Sequence, residues 1–426
     1  MCGDTENGGG EDMIYRNMHL DSLAQILSTI EDPRDNRGKL HRLVDVFILA
    51  IIGILWGHTD FTNMVVELKY HEATLSEKLG LLHGIPSHDT FSAVFSLIDP
   101  AIFLECFIEW LRDLAQTSGQ HIAIDGKAVK AACDKVHGKL VPYLVNAFAT
   151  DMGICIGQIR VNEKTNEIKG IPELLEWLDL EGAVITIDAI GCQRDIAEKI
   201  VEKGGNFVLP AKENQPTLHK DILLEMETKI AEKEFAVEYA AGLSNRNKET
   251  IPPKLNPNFD EYVQYGRNHG RLERRSYYVL NDAACVDHAL WPYVKSIGLV
   301  RRERQVIHKD SDDNIIDETP SLEIETYIMS TEMSAESFAC YARGHWAIEN
   351  CLHWVLDDWL REDRCTARIG HATENLGLLR RLAFNLMSLD PAVSQMSKKA
   401  KQIYYRNDFD AVFRLLFEYT VRSVEM

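Results

Sequence analysis

The chain has 426 residues, too many for one hydrophobic core, so two or three domains are expected. With 45% hydrophobic and 26% charged residues the composition is that of a soluble globular protein, and excludes a fibre or wholesale disorder. A net charge of −19 argues against a polyanionic partner unless the basic residues are clustered, because a duplex senses charge only within about 8–10 Å.

The first segment, residues 1–13, is acidic and rich in glycine and reads as a disordered tail. Residues 14–117 carry apolar residues at helical spacing: Leu20, Leu23, Ile26 and Leu27, then the run from Val46 to Trp56, then Phe103, Phe107, Trp110 and Leu111. Asp32-Pro33, Gly84-Ile85-Pro86 and Asp99-Pro100 punctuate it, so an all-helical N-terminal domain of four or five helices is expected. The apolar run is well short of the roughly 20 residues of a membrane span, and no membrane partner is expected. Nine cysteines, an odd number without a Cys-x-x-Cys pair, fit neither a disulfide framework nor a zinc site, so a cytoplasmic setting is expected.

The texture changes at His121. "HIAIDGK" is a short strand ending on Asp125, and "YLVNAFAT" and "CIGQIRV" are two more strands joined at Asp151-Met152-Gly153. "IPELLEWL" is helical, "AVITIDA" is a buried strand ending on Asp188, "QRDIAEKIVEKG" is a helix and "NFVLPAK" a strand. Residues 118–213 thus predict an α/β fold, a mixed sheet with helices on its faces on the ribonuclease H-like plan. Residues 214–330 lose the alternation and read as a β-rich insertion. Residues 331–390 resume the core as helix, and residues 391–426 form a C-terminal helical segment.

Asp125 and Asp188 each close an apolar strand and precede a small residue, Gly126 or Ala189, that admits close approach to the backbone. Each alone is more often a turn-former, but on neighbouring strands they gain weight. Glu349 lies in "GHWAIENCLHWVLDD", where Trp346, Leu352, Val355, Leu356 and Trp359 mark helical packing. A carboxylate near a packed face asks for a cation or an arginine. Three converging carboxylates would hold two Mg²⁺ or Mn²⁺ ions about 3.5–4 Å apart, the apparatus of phosphoryl transfer on nucleic acid. His345, Glu349 and His353 also share a helical face, a weaker metal pattern without H-E-x-x-H spacing.

The strings "AIDGKAVK", "GQIRVNEKTNEIKGIPELLEWLDLEGAVITIDAIGCQ", "GGNFVLPAKENQ", "HGRLERRSY" and "RGHWAIENCLHWVLDD" resemble bacterial insertion-sequence DDE transposases of the group containing the H-repeat-associated proteins. The likeness covers nearly the whole chain, including "EDPRDNRGKLHRLVDVFILAIIGILWG" and "GIPSHDTFSAVFSLIDP" before the core. It implies a ribonuclease H-like core, a β insertion before the Glu-bearing helix, and transposition of the element's own DNA with Asp125, Asp188 and Glu349 as catalytic metal ligands. The partners implied are double-stranded DNA, both terminal inverted repeats and target, and a second copy in a homodimer. Tyr341 and Arg343 are offset from the wider clan's pattern before the Glu, and Leu356 stands where a basic residue is usual.

Basic residues that could grip phosphate fall in clusters: Arg267, His269, Arg271, Arg274 and Arg275; Arg301, Arg302 and Arg304; Arg361, Arg364 and Arg368; Lys398, Lys399 and Lys401. Lys127 and Lys212 beside the active strands, and Arg343 and His345 before Glu349, are further candidates. The arginines of the insertion are expected on one basic face, with the surplus acids elsewhere. Cys192 and Gln193 are read as structural. Two other functions compete: a nuclease of the same fold without strand transfer, and a decayed or domesticated copy that only binds.

Overall fold

The computed structural model describes residues 23–114, 119–132, 141–161, 167–240, 256–268, 271–309 and 315–418. The expected N-terminal tail and His269 lie outside them. The chain divides into two compact units that cut across the segments read in chain order. One comprises residues 1–117, 125–178 and 347–426; the other comprises 118–124 and 179–346.

In the first unit, helices α1 (Leu23–Ser28), α2 (Leu43–Leu55), α3 (Phe61–Tyr70), α4 (Glu72–Leu79), α5 (His88–Leu97) and α6 (Pro100–Leu114) realise the expected helical region. The Val46–Trp56 run belongs largely to α2, which is apolar all round because it is buried all round. Phe47 meets Phe95 edge-on at 5.4 Å and Phe103 at 5.0 Å. The one acid of α2, Asp45, is buried and accepts two hydrogen bonds from Arg42 at 2.8 and 2.9 Å. Strand β1 (His121–Ala128) contributes its last residues here, followed by β2 (Tyr143–Ala149), β3 (Ile154–Val161) and helix α7 (Glu167–Trp177), in strand order β3-β2-β1. β2 and β3 form an antiparallel hairpin with a bulge at Ala147/Phe148.

Against β3 lies a second, mostly buried helix from the far end of the chain, Ala372–Leu389. Its Asn385 acts as a neighbouring strand would, accepting from the Cys155 N–H at 2.8 Å and donating to the Cys155 carbonyl at 2.6 Å. Asn375 donates to the carbonyls of Phe95 and Ile98, closing α5 onto the same helix. Buried amides are tolerated because each finds backbone partners.

In the second unit the strand order is β1-β4-β5-β9-β8-β7-β6, with β4 Val184–Ile187, β5 Asn206–Ala211, β6 Phe259–Asn268, β7 Arg271–Leu280, β8 Ser296–Lys309 and β9 Ile315–Met329. β1, β4 and β5 are parallel, and β9, β8, β7 and β6 continue as an antiparallel meander. Helix α8 (Arg194–Glu202) connects β4 to β5.

One expectation for residues 214–330 is corrected. The segment opens with a 25-residue helix, α9 (Pro216–Ala240), whose buried Leu218, Ile222, Met226 and Ile230 recur every four residues. The strands that follow extend the core sheet, since Thr326–Met329 of β9 pairs directly with Ala211–Val208 of β5. Helix α10 (Ala335–Gly344) covers this sheet, with the Phe338 ring against Tyr277 and Tyr327 and so close to Gly298 that a Cβ there would stand 2.8 Å from it. The Ser334 hydroxyl caps α10 by accepting from the Ser337 N–H at 3.1 Å. Ser334→Ala should therefore lower the stability read by urea denaturation by about 1 kcal/mol. An unchanged curve would show that α10 is held by packing alone.

Candidate active site

The parallel register of β1 and β4 pairs Ile124 with Ile187, so the next residues along the two strands are Asp125 and Asp188. Both strands are buried up to that point and both acids are half-buried; Asp188 follows the last residue of β4, whereas β1 runs on past Asp125 to Ala128, which corrects the expectation that the strand ends on that acid.

Asp188 caps the short turn Ala189–Gly191, accepting from the Ile190 N–H at 3.1 Å. The turn is tied down by Gln193 donating to the Ile190 carbonyl at 3.1 Å, Asn214 to the Ala189 carbonyl at 2.6 Å and Gln215 to the Cys192 carbonyl at 3.0 Å. Burial pushes the Cys192 thiol up to about 12, so it stays protonated and inert at neutral pH. Cys192 and Gln193 thus sit in the frame of the loop, as read from the sequence.

Asp125 Oδ2 lies 3.4 Å from His353 Nδ1. Behind His353 a chain of polar contacts fixes its orientation. Arg381 donates through Nε to Asn146 Oδ1 at 2.5 Å, which turns the Asn146 amide nitrogen toward His353 Nε2 at 3.2 Å. Nε2 must then accept, leaving the ring proton on Nδ1, the nitrogen 3.4 Å from Asp125 Oδ2. Arg381 is fully buried and binds both oxygens of buried Glu362, at 2.6 and 3.3 Å. Sequence reasoning noticed His353 only as a weak metal pattern and missed Asn146, Glu362 and Arg381. No short motif carries them, because the four come from three separate segments. The small residue after Asp125 does admit a close neighbour: a Cβ at Gly126 would collide with the carboxylate of buried Glu167.

Glu349 lies in a widened π-type turn, Ile348–His353, in which the Trp354 N–H reaches back to the Glu349 carbonyl; α11 (Trp354–Asp358) follows. Ile348, Leu352, Val355 and Leu356 point inward, while Glu349 is exposed. This corrects the argument from the packed face. Glu349 is accessible to solvent, and Trp346 is 48% exposed and Trp354 53% exposed rather than packed. A π turn of this kind re-aims side chains and is frequent at functional sites.

The expected phosphate contacts divide. Lys127 is corrected: its side chain is 6% exposed and its ammonium is enclosed by Asp357 at 2.5 Å, Asp363 at 3.2 Å and Glu362 at 3.4 Å. Burial pushes the Glu362 carboxyl up, but Arg381 and Lys127 overcome it and hold it at about 2. His345 is corrected too: Thr186 Oγ1 stands 3.2 Å from its Nδ1 and 2.9 Å from Nε2 of buried His121. Burial lowers both imidazoles to about 4, so neither is a cation at neutral pH. Unfolding returns them toward 6.5, where the unfolded chain binds the protons first. Their contribution to stability is therefore complete above about 6.5 and is lost as pH falls toward 4. The urea midpoint should drop across that window, and His121→Gln should flatten the drop; an unaltered slope would remove His121 from the linkage.

Among the described residues the single basic face expected on the insertion does not form. Consecutive strand residues point to opposite faces, so adjacent Arg274 and Arg275 diverge, and the β7–β8 register places Arg275 beside Arg302 but Ser276 beside Arg301. On one face Arg275, Arg302 and Arg304 interlock with Glu273 and Glu323, and Glu325 joins Arg302 to Lys212. On the other, Arg274 and Arg301 both reach Glu303. These cations are largely neutralised by their own sheet. Arg271 lies in β7 with its side chain outside the description, and Arg343 is exposed and donates to Gln264 at 3.2 Å. Arg361 and Arg364 are exposed. Arg361 takes a left-handed backbone (φ 47°), the one non-glycine residue among those described to do so.

Among the described residues no group of three or more His, Cys, Asp or Glu side chains stands ready as a metal cage. The donor chemistry of Asp125, Asp188 and Glu349 is nonetheless all oxygen and all at least partly accessible, which fits a hard divalent cation better than zinc.

Residues 24–111 match the family described as DDE_Tnp_1-associated, and residues 116–386 match the Transposase DDE domain. The "H repeat-associated putative transposase YhhI" of Escherichia coli (strain K12) is 34% identical over 88% of this chain and 92% of its own length. The "Putative protein YbfL" of the same strain shows the same identity over the same shares. The cryo-EM structure of piggyBac transposase synaptic complex with hairpin DNA aligns over 98% of this chain and 80% of that chain, with 11% identity and a TM-score of 0.38.

Proposed function

The chain belongs to the family of the Transposase DDE domain, and from that premise we propose that it cuts and rejoins the DNA of its own insertion element, with Asp125, Asp188 and Glu349 as ligands of two Mg²⁺ or Mn²⁺ ions. The observation that carries this reading is the Ile124–Ile187 register, which makes the two aspartates the next residues on adjacent parallel strands. The strand order β3-β2-β1-β4-β5, with β2 and β3 antiparallel, supports a ribonuclease H-like core. When bound, the ions would activate water or a 3′-hydroxyl and stabilise the leaving oxygen.

The chain's own residues do the positioning. His353 stands 3.4 Å from Asp125 Oδ2 and in this reading orients that carboxylate; the capped turn holds Asp188; the π turn presents Glu349 to solvent. Arg361 and Arg364 are the proposed phosphate contacts, because they are exposed and absent from the glutamate ladders of the sheet. Cutting two element ends calls for two active sites, hence a homodimer on double-stranded DNA.

The test is a plasmid carrying the element's terminal repeats, incubated with the purified chain and Mg²⁺. Excised and strand-joined products support the proposal, and cutting without joined products would replace it by a nuclease. Full activity in excess chelator would end the two-metal account, and Ca²⁺ should substitute poorly because its looser coordination misplaces the reacting oxygens. Replacing Arg361 and Arg364 together by Ala should weaken binding to all sequences alike and lower the salt slope by about two. An unchanged slope would move the DNA grip elsewhere.

A further inference from the structure

Within the first unit lies a cavity of about 740 Å³ walled by α2, α3, α5, the loop Cys365–Ile369 and the Ala372–Leu389 helix, with no lining residue from the elements that carry Asp125 and Glu349. Its size suits a small organic ligand, since such sites run from roughly 300 to 1,000 Å³. Much of the wall is apolar, with Ile54, Met64 and Leu376 among the residues that line it.

The wall also holds Arg380, which is 3% exposed. Among the described residues no hydrogen bond or ion pair within 4 Å engages its guanidinium. The acid that feels its charge, Glu362, is already bound by Arg381 and Lys127. Asp60, the acid on the cavity wall, is committed to the start of α3, where its two oxygens accept from the Asn63 N–H and amide. A buried cation is costly without a counter-charge. A cavity that is apolar over most of its wall and counts such a cation among its lining residues suits one kind of occupant.

We propose that this cavity binds a small organic anion, with a carboxylate, sulfonate or phosphate head on Arg380 and an apolar body against Ile54, Met64 and Leu376. The site is separate from the proposed DNA chemistry.

The probe is 1-anilinonaphthalene-8-sulfonate, titrated by fluorescence into the full chain beside its uncharged counterpart N-phenyl-1-naphthylamine. The sulfonate should bind once per chain and about ten- to a hundredfold more tightly than the neutral probe, the worth of one hydrogen bond to a charged group. Arg380→Met should abolish that preference. Ser92→Trp, at an exposed position on the cavity rim, should block both probes. Sulfonate preference that persists in a folded Arg380→Met chain overturns the proposal. If that variant does not fold, unchanged sulfonate binding by Ser92→Trp overturns it alone. Stoichiometric displacement of the probe by short duplex DNA also overturns it, because the cavity would then belong to the DNA path.

Discussion

Asp125→Asn, Asp188→Asn and Glu349→Gln are each expected to reduce strand cleavage by about a thousandfold or more, which corresponds to roughly 4 kcal/mol of transition-state stabilisation. Each substitution keeps the shape of the side chain and removes the charge that a divalent ion needs. The exposed arginines are untouched, so the affinity for element-end DNA in a gel shift should stay within about twofold of the parent, since phosphate contacts dominate it. His353→Ala should act on the same reaction less severely, by about ten- to a hundredfold, because it orients Asp125 without replacing it. Cleavage at near-normal rate by any of the three isosteric variants removes that residue from the ligand set. A His353→Ala loss as deep as that of Asp125→Asn would make the imidazole a direct participant.

The largest effect on stability is expected at Arg381. Its guanidinium and the Glu362 carboxylate are both almost wholly inaccessible; removing Glu362 leaves the guanidinium without a counter-charge, and removing Arg381 leaves Glu362 with only the Lys127 ammonium at 3.4 Å. Arg381→Met or Glu362→Gln should cost about 3–5 kcal/mol in urea denaturation, whereas Arg381→Met with Glu362→Leu should recover much of it, because two apolar side chains leave no stranded charge. Glu362 is held at about 2 in the folded protein against an ordinary 4.5. The unfolded chain therefore takes up the proton first as pH falls. The stabilisation is complete above about 4.5 and disappears between there and about 2. Because Arg381 also orients Asn146, and through it His353, a variant that still folds should lose cleavage activity as well. A loss below about 1 kcal/mol in both single variants would show that water reaches the pair and that it does not organise the site.

The elements that were legible in the sequence are those whose signal is local. "HIAID" and "AVITID" read as strands because each is a short, mainly apolar run closed by an acid; both strands are present and adjacent, although β1 runs on past Asp125 to Ala128. The Val46–Trp56 run reads as a buried helix for the same reason. Helix α9 was legible too, in the spacing of Leu218, Ile222, Met226 and Ile230, but its charged surroundings hid a stripe only one residue wide. The divergence of Arg274 and Arg275 follows from the period of a strand and needed only that β7 be recognised as one.

What tertiary structure alone decided is every feature that depends on residues distant in the chain. Nothing near Lys127 announces that Asp357, Glu362 and Asp363 enclose it, more than 200 positions later. The glutamates that neutralise the insertion's arginines come from neighbouring strands, so the count of −19 could not say whether any basic face survives. By itself the sequence determined which strands form and which acids lie beside them, because periodicity is set by nearest neighbours. The pairing of charges, the burial of Lys127, His345 and Arg380, and the orientation of Asp125 by His353 were decided by the fold, because solvation and Coulomb energy depend on distance in space rather than along the chain.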